Sequence, residues 1–255
     1  MPSPPVGPRY TQGLCRANSA KHSVVGDGFA EDYLNDLGQY LLLSLETRPF
    51  PFQFYMVRDN SLNAFAGPGG HIFMFSGLVA VMDSVDELSA VLCHEIAHVS
   101  ARHLAERLDQ AKKIGIGTMA GLLAGILMGG QAGAAVMSGT MAAGIQKQLA
   151  YSREDERQSD QVGFQYMSQT GFDPGGMLQT LDKLEKGSYF GAYAIPPYLL
   201  THPAGPERMS NIESMLSNLD RRPDRSETRK YKDLFPFFKV SVMAKSGDRH
   251  ETETR

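Results

Sequence analysis

The sequence predicts an α+β protein that is mainly helical, with a small antiparallel sheet just before one long central helix. Apolar residues recur at helical spacing through most of the chain, whereas three short runs between residues 53 and 76 resemble strands. The chain has 255 residues, enough for one large domain or two small ones. We expect residues 27–220 to form a single domain.

The composition excludes some classes of function. Hydrophobic residues make up 42% of the chain, and the net charge is −3 without a long basic block. Nucleic acid is therefore not an expected partner. The two cysteines, Cys15 and Cys93, do not make a disulfide framework, although a single bridge between them stays an alternative.

The chain ahead of the central helix divides into a loose start, one helix and three strands. Residues 1–26 are rich in Pro, Gly and Ser, which predicts an extended segment. Apolar residues follow a helical period over 29–45. The runs 53–58, 63–66 and 71–76 predict strands separated by turn residues.

The central helix has a clear start signal. Ser84 is followed three residues later by Glu87, a pattern typical of a helix N-terminus. The apolar period then predicts a helix to about Leu108.

This helix contains the motif His94-Glu95-Ile96-Ala97-His98 among apolar neighbours. Residues four apart share a helix face, so His94 and His98 can bind one ion together. Glu95 lies one step round the helix, where it can serve as general base toward a water molecule. Buried polar groups need partners, and a metal ion supplies one.

A catalytic zinc site takes three protein ligands, so a third must come from elsewhere. The predicted polar helix 149–170 offers Glu156 and, one turn on, Asp160. We expect Glu156 to bind the metal and Asp160 to accept the free N–H of a ligating histidine. Glu154 is the competing ligand, but its partner one turn on is Gln158.

Residues 114–146 carry no charge at all. Gly129, Gly130 and Gln131 divide this run into two halves, each shorter than the roughly 20 residues of a membrane span. A buried or interfacial helical hairpin is the favoured interpretation. Reversible peripheral membrane contact and two spanning segments stay open as alternatives.

The last third of the chain is predicted to contain two more helices and a charged tail. Asp173 and Pro174 predict the start of a helix at 174–186, an aromatic loop follows at 189–200, and spaced apolar residues predict a last helix at 206–219. Residues 221–255 form the charged tail, in which 234–242 has the composition of a strand.

Together these motifs resemble metallopeptidase family 48, the gluzincin group of HtpX, BepA and the CAAX prenyl proteases. The matching pieces are Asn63-Ala64-Phe65-Ala66-x-Pro68-Gly69-Gly70, His94-Glu95-x-x-His98, Ser152-Arg153-x-x-Glu156-x-x-x-Asp160, Gly171-Phe172-Asp173-Pro174, and Thr201-His202-Pro203 with Arg208. The resemblance covers residues 53–215 and is nearest to soluble BepA-like envelope proteases. It departs at Gln158 and Ser159, where the family often has Glu and usually has Ala.

The resemblance implies a zincin-type fold, one Zn²⁺ per chain and endopeptidase activity. It also implies that His202 approaches the metal, as a transient fourth ligand or as an oxyanion stabiliser, whereas the residues alone also allow a structural role. Arg208 either stabilises developing negative charge or pairs with an acid. His103 and three other histidines (His22, His71 and His250) have no such setting and are interpreted as surface or core residues.

The expected substrate is an unfolded or misassembled polypeptide. Asn63, Ala64 and Phe65 are predicted to lie on an exposed sheet edge, where an extended chain can add as a strand. The alternative function is a latent or inactive zinc-binding module with a chaperone-like role. The resemblance places the protein in the bacterial periplasm or envelope, with a targeting segment outside these residues; the oligomeric state stays open.

Overall fold

The computed structural model describes residues 28–48, 50–104, 153–190, 195–203, 205–219 and 226–247. The predicted extended segment 1–26 and the predicted hairpin 114–146 lie outside them. The described helices are α1 (Gly28–Leu41), α2 (Ser76–Val81), α3 (Val85–Ser100), α4 (Arg153–Thr170), α5 (Gly175–Phe190), α6 (Pro197–Thr201), α7 (Pro206–Ser217) and α8 (Arg229–Gly247). The strands are β1 (Gln53–Val57), β2 (Ala64–Gly67) and β3 (His71–Phe75).

The mainly helical α+β architecture is confirmed, but the sheet is mixed rather than antiparallel. Its strand order is β1-β3-β2, with β3 parallel to β1 and antiparallel to β2. The β2–β3 hairpin turns through Gly69 and Gly70, both with positive φ, and brings β3 between the other two strands. The prediction failed because consecutive strands need not pair, and β1 pairs with the strand after next.

The helix α3 is buried along nearly its whole length and lies at the centre of the fold. Its Ser84 cap is confirmed, since the Ser84 side chain accepts a hydrogen bond from the Glu87 backbone N–H. The helices α4 and α5 pack against it, and β2 and β3 contact it from another side. Gly163 of α4 makes the close approach possible, because a Cβ there would lie 3.2 Å from the His94 backbone nitrogen.

The predicted strand at 234–242 is wrong, because these residues belong to helix α8. Its buried residues are Tyr231, Phe235, Phe238 and Val242, spaced by three or four positions as on one helix face. They join the main core, and the Tyr33 hydroxyl donates to the Tyr231 carbonyl. Phe and Val have high strand propensity, but packing of an amphipathic face outweighs that preference.

Among the described helices, none combines the length and apolar character needed to cross a bilayer.

Candidate metal centre

Three separate elements deliver the predicted ligands to one place. His94 and His98 project from α3, Glu156 comes from the first turn of α4, and His202 follows α6. One donor atom from each lies within 4.8 Å of all the others. The structure therefore brings together the three predicted ligands and the predicted fourth group.

The separations of these donor atoms fit a metal ion. His94 Nε2 lies 3.4 Å from Glu156 Oε2 and 3.0 Å from His98 Nε2, and His98 Nε2 lies 3.3 Å from Glu156 Oε1. His202 Nδ1 lies 3.4 Å from His94 Nε2 and 3.0 Å from Glu156 Oε1. Ligands of a tetrahedral zinc ion at its usual bond lengths lie about 3.3 Å apart.

The predicted general base faces the same cluster. Glu95 is fully buried, and in the described part of the chain neither of its carboxylate oxygens has a hydrogen-bond partner. His202 Nε2 lies 3.5 Å from Glu95 Oε1. A buried carboxylate without hydrogen bonds raises the free energy of the folded protein. The Glu95 carboxylate is therefore well placed to accept a proton from a bound molecule.

The outer face of His94 is held by charged groups. Asp160 Oδ1 lies 2.9 Å from His94 Nδ1, as predicted for a carboxylate that fixes a ligand histidine. Arg208 donates two hydrogen bonds of 2.7 Å to the two oxygens of Asp160, and its Nη1 lies 2.6 Å from Glu156 Oε2. Arg208 is therefore paired with two acids of the site.

The competing ligand, Glu154, does not reach this cluster. Its carboxylate is exposed and forms a bidentate pair with Arg157 on the surface of α4. Glu154, Asp155 and Glu156 are consecutive acids on α4, and each points in a different direction around the helix. The rotation of α4 about its axis therefore decides that Glu156 is the buried one.

A family model described as Peptidase family M48 matches residues 30–216. The chain belongs to peptidase family M48. It is 37% identical to a Vibrio cholerae relative over 205 residues, which are 79% of this chain and 42% of the relative. Over 214 residues it is 34% identical to the beta-barrel assembly-enhancing protease of Yersinia pestis, covering 83% of this chain and 44% of that one. The Escherichia coli protein of the same name is 31% identical over 199 residues, 77% of this chain and 41% of its own length.

The family match covers the three predicted ligands and His202, and the chain spans less than half of these relatives' length. The structure shows the same arrangement, with His94, Glu95 and His98 on α3 and Glu156 on the later helix α4. The metal site therefore rests both on M48 membership and on the distances between the donor atoms.

Sequence reasoning missed one residue that contacts this M48 site. His103 is buried, and its Nδ1 lies 3.0 Å from His98 Nδ1. On a continuous helix, residues five apart are rotated by about 140°, so spacing gave no signal for this contact. His103 also contacts Gln158 and Ser159, the two positions at which the chain departs from the family pattern.

The buried charges favour a cation at the centre. Burial lowers the pKa of His94, but hydrogen bonds and charges from Asp160 and Glu156 outweigh it and raise that pKa to about 9. Burial raises the pKa of Glu156, but His202 and Arg208 hold it well below its usual range. Burial lowers the pKa of His98 well below normal, so this ring stays neutral and can act as a ligand.

The role of Asn63, Ala64 and Phe65 as a substrate edge stays a prediction. Within the described residues β2 is hydrogen-bonded to β3 alone, so it is an edge strand. The side chains of Asn63 and Ala64 are nevertheless buried, and Phe65 is half-buried and stacks on Phe73. Among these three residues, exposure is therefore limited to Phe65.

Proposed function

We propose that this chain is the catalytic part of a zinc-dependent endopeptidase. The observation that carries the proposal is the spacing of the His94, His98 and Glu156 donor atoms. Beside them lies the carboxylate of Glu95, which has no hydrogen-bond partner among the described residues. His94, His98 and Glu156 would hold the ion, and His202 would be an additional ligand. A zinc ion bound there supplies Lewis-acid chemistry, which polarises a peptide carbonyl and makes a water molecule more acidic.

Glu95 moves the proton in the proposed reaction. Its carboxylate accepts a proton from the attacking water and donates that proton to the leaving amine. Both oxygens are buried and lack hydrogen bonds within the described residues, so the carboxylate is not already committed to another group. Its position on α3, between the two ligand histidines in sequence, fixes its distance from them.

Arg208 serves in this proposal as a positioning residue. Its guanidinium donates to both oxygens of Asp160 and to the Pro203 carbonyl, and it pairs with Glu156. These contacts commit its nitrogens to ligand-holding acids, which argues against the alternative role as oxyanion stabiliser. Asp160 in turn holds the ring of His94.

The proposed substrates are unfolded or misassembled polypeptides. An extended chain can pair with the backbone of edge strand β2, a mode that reads main-chain groups more than side chains. The buried amide of Asn63 has no hydrogen-bond partner among the described residues, which supports a role in holding such a chain. The names of the Yersinia and Escherichia relatives support a place in envelope protein assembly, and hence the periplasm.

The decisive experiment compares Glu95→Gln with wild type. We expect the variant to keep stoichiometric zinc and its fold but to lose cleavage of unfolded casein by a factor of about 10²–10⁴. Glu154→Gln, an exposed acid on α4, is the matched control and keeps full activity. Casein cleavage at the wild-type rate by zinc-loaded Glu95→Gln would overturn the proposal.

A second candidate function, a latent enzyme or a chaperone-like zinc module, is favoured by the position of His202. Its ring is fully buried among the ligands, with Nδ1 close to Glu156 and Nε2 toward Glu95, and it stacks on Tyr198. We expect His202→Ala to raise casein cleavage if this ring blocks the site. If zinc-loaded wild type and His202→Ala both lack cleavage but suppress aggregation of an unfolded protein, the chaperone-like function is supported instead.

A further inference from the structure

We propose that His103 is the positioning residue of the second imidazole ligand, His98, and that it acts through a chain of hydrogen bonds that runs to Gln158, beside the carboxylate of Asp155. This inference rests on the proposed zinc site and goes beyond it. It identifies the group that orients His98, an assignment that the ligand motif itself does not make.

The contacts form a continuous path from the ligand to the surface of α4. His103 Nδ1 lies 3.0 Å from His98 Nδ1, and His103 Nε2 lies 2.9 Å from Gln158 Oε1. The Ser159 hydroxyl lies 3.3 Å from His103 Nδ1 on the same side. Both His98 and His103 are buried, whereas Gln158 is exposed.

A strained turn brings His103 into this position. The helix α3 ends at Ser100, and Arg102 adopts a left-handed conformation with φ of 60°. A residue with a Cβ adopts that conformation only at an energetic cost, because its Cβ approaches the following carbonyl oxygen. After this turn the imidazole of His103 lies against His98, at 5.0 Å between ring centroids and 74° between planes.

The hydrogen-bond path has one consistent set of proton positions when His98 binds a metal. Its Nε2 faces the other ligands and must offer a lone pair, so the neutral ring carries its proton on Nδ1. That Nδ1–H donates to His103 Nδ1, which leaves the His103 proton on Nε2, where it donates to Gln158 Oε1. Each ring is thereby held in the tautomer that the site needs.

The two positions at which the chain departs from the family pattern both belong to this path. Gln158 supplies an uncharged acceptor where the resemblance leads us to expect glutamate, and Ser159 replaces alanine with a hydroxyl. A carboxylate at 158 makes His103 a stronger acceptor, and His98 in turn a more basic ligand. With an uncharged amide at 158, the path therefore orients His98 without maximising its affinity for zinc.

The test measures zinc affinity of the whole chain by competition with a chromophoric chelator. His103→Asn keeps an acceptor at the place of Nδ1, whereas His103→Leu has nearly the same size and no acceptor. We expect the zinc Kd to rise about 10–100-fold for His103→Leu and to stay within about threefold of wild type for His103→Asn. Equal losses in both variants would mean a merely structural role and overturn the proposal.

A second pair of variants tests the Gln158 end of the path. Gln158→Glu is expected to lower the zinc Kd about three- to tenfold. The control is Gln161→Glu, which adds the same charge at an exposed position of α4 and is expected to leave the Kd unchanged. Equal effects of the two substitutions would indicate general electrostatic attraction and overturn the proposal.

A spectroscopic measurement decides the tautomer directly. Long-range ¹⁵N–¹H correlation of the zinc-loaded chain should place the His98 proton on Nδ1, with its signal kept in His103→Asn and lost to exchange in His103→Leu. A His98 proton on Nε2 would contradict the path. Casein cleavage is not among these measurements, so an active Glu95→Gln would refute the proposed function alone, and unaltered zinc affinity in His103→Leu would refute this inference alone.

Discussion

The two imidazole ligands sit one helical turn apart on α3 but are supported in different ways. The ring of His94 contacts the carboxylate of Asp160, and the buried guanidinium of Arg208 donates a hydrogen bond to each oxygen of that carboxylate. The ring of His98 contacts another imidazole, that of His103, whose Nε2 faces the exposed amide of Gln158. One ligand is thus held by a buried network of charges. The other is held by an imidazole whose outer nitrogen meets an exposed amide and lies 3.9 Å from the partly exposed carboxylate of Asp155.

Because of this difference, we expect the charged side to affect the stability of the site and the other side to affect mainly its zinc affinity. The charged side joins α3, α4 and α7, because Asp160 and Arg208 belong to two helices that are distant in sequence. Removing one member of a buried ion pair leaves the other charge uncompensated, so changes there affect stability as well as metal binding. The side that supports His98 can be altered at Gln158, its exposed end, without leaving a charge buried, so it offers a way to adjust zinc affinity alone.

The largest effect is expected for Asp160→Asn. This substitution removes the negative charge that pairs with Arg208, and it replaces one of the two acceptor oxygens with an NH2 group that faces hydrogen-bond donors. We therefore expect a loss of about 3–5 kcal/mol in the free energy of unfolding. The zinc Kd should rise about 10–100-fold. Urea denaturation of the metal-free chain and chelator competition measure the two effects.

Asp182→Asn provides the comparison for this change. Its carboxylate is exposed and paired with Lys186 one turn along α5, so its removal should change stability by less than about 1 kcal/mol. Similar behaviour of the Asp160 and Asp182 variants would mean that the charged side does not support the site.

Replacing Arg208 with lysine separates the effect of charge from that of hydrogen-bond geometry on the His94 side. Lysine keeps the positive charge but lacks the planar guanidinium. Lysine cannot reproduce the two parallel hydrogen bonds to Asp160, so we expect a loss of about 1–3 kcal/mol in unfolding free energy. The exposed pair of Arg157 with Glu154 is the control, where Arg157→Lys should have little effect. A wild-type urea midpoint for Arg208→Lys would show that charge alone suffices.

A smaller loss of stability is expected at Gly163, where α4 packs against α3, the helix that carries both histidines. The Cβ of Gly163→Ala would meet backbone atoms of Cys93 and His94 at 3.2–3.3 Å, and backbone cannot move aside as a flexible side chain can. We expect a loss of about 1–2 kcal/mol, seen as a lower thermal midpoint of the metal-free chain. Gly205→Ala, with open space around its Cβ, should leave that midpoint unchanged.

The smallest effect is expected at Arg102, and it has the opposite sign. Glycine adopts the left-handed conformation without strain, so Arg102→Gly should raise the unfolding free energy by about 0.5–1 kcal/mol and leave the zinc Kd unchanged. Arg102→Ala removes the same side chain but keeps the strain, so it should bring no gain. A gain in both variants would place the effect in the side chain rather than in the turn.

Much of the ligand set followed from local spacing. His94 and His98 share a helix face whatever the fold, and Glu156 and Asp160 do so on their own helix, so four of the groups could be assigned in pairs. The choice of Glu156 over Glu154 was also correct, because only the former has an acid one turn on to hold a histidine. By contrast, Arg208 was left between two roles, since nothing in its neighbourhood in sequence indicates which acids it meets.

The sequence by itself determined the elements with strong periodicity and the residues grouped on each: the capped central helix, its two histidines, and the acids one turn apart. Only the tertiary structure decided the parallel pairing of β1 with β3, the docking of α8 on the core, and the contact of His103 with His98. The physical reason is that spacing along a helix is fixed by its geometry, whereas each of these contacts depends on how separate elements pack or on a single strained turn.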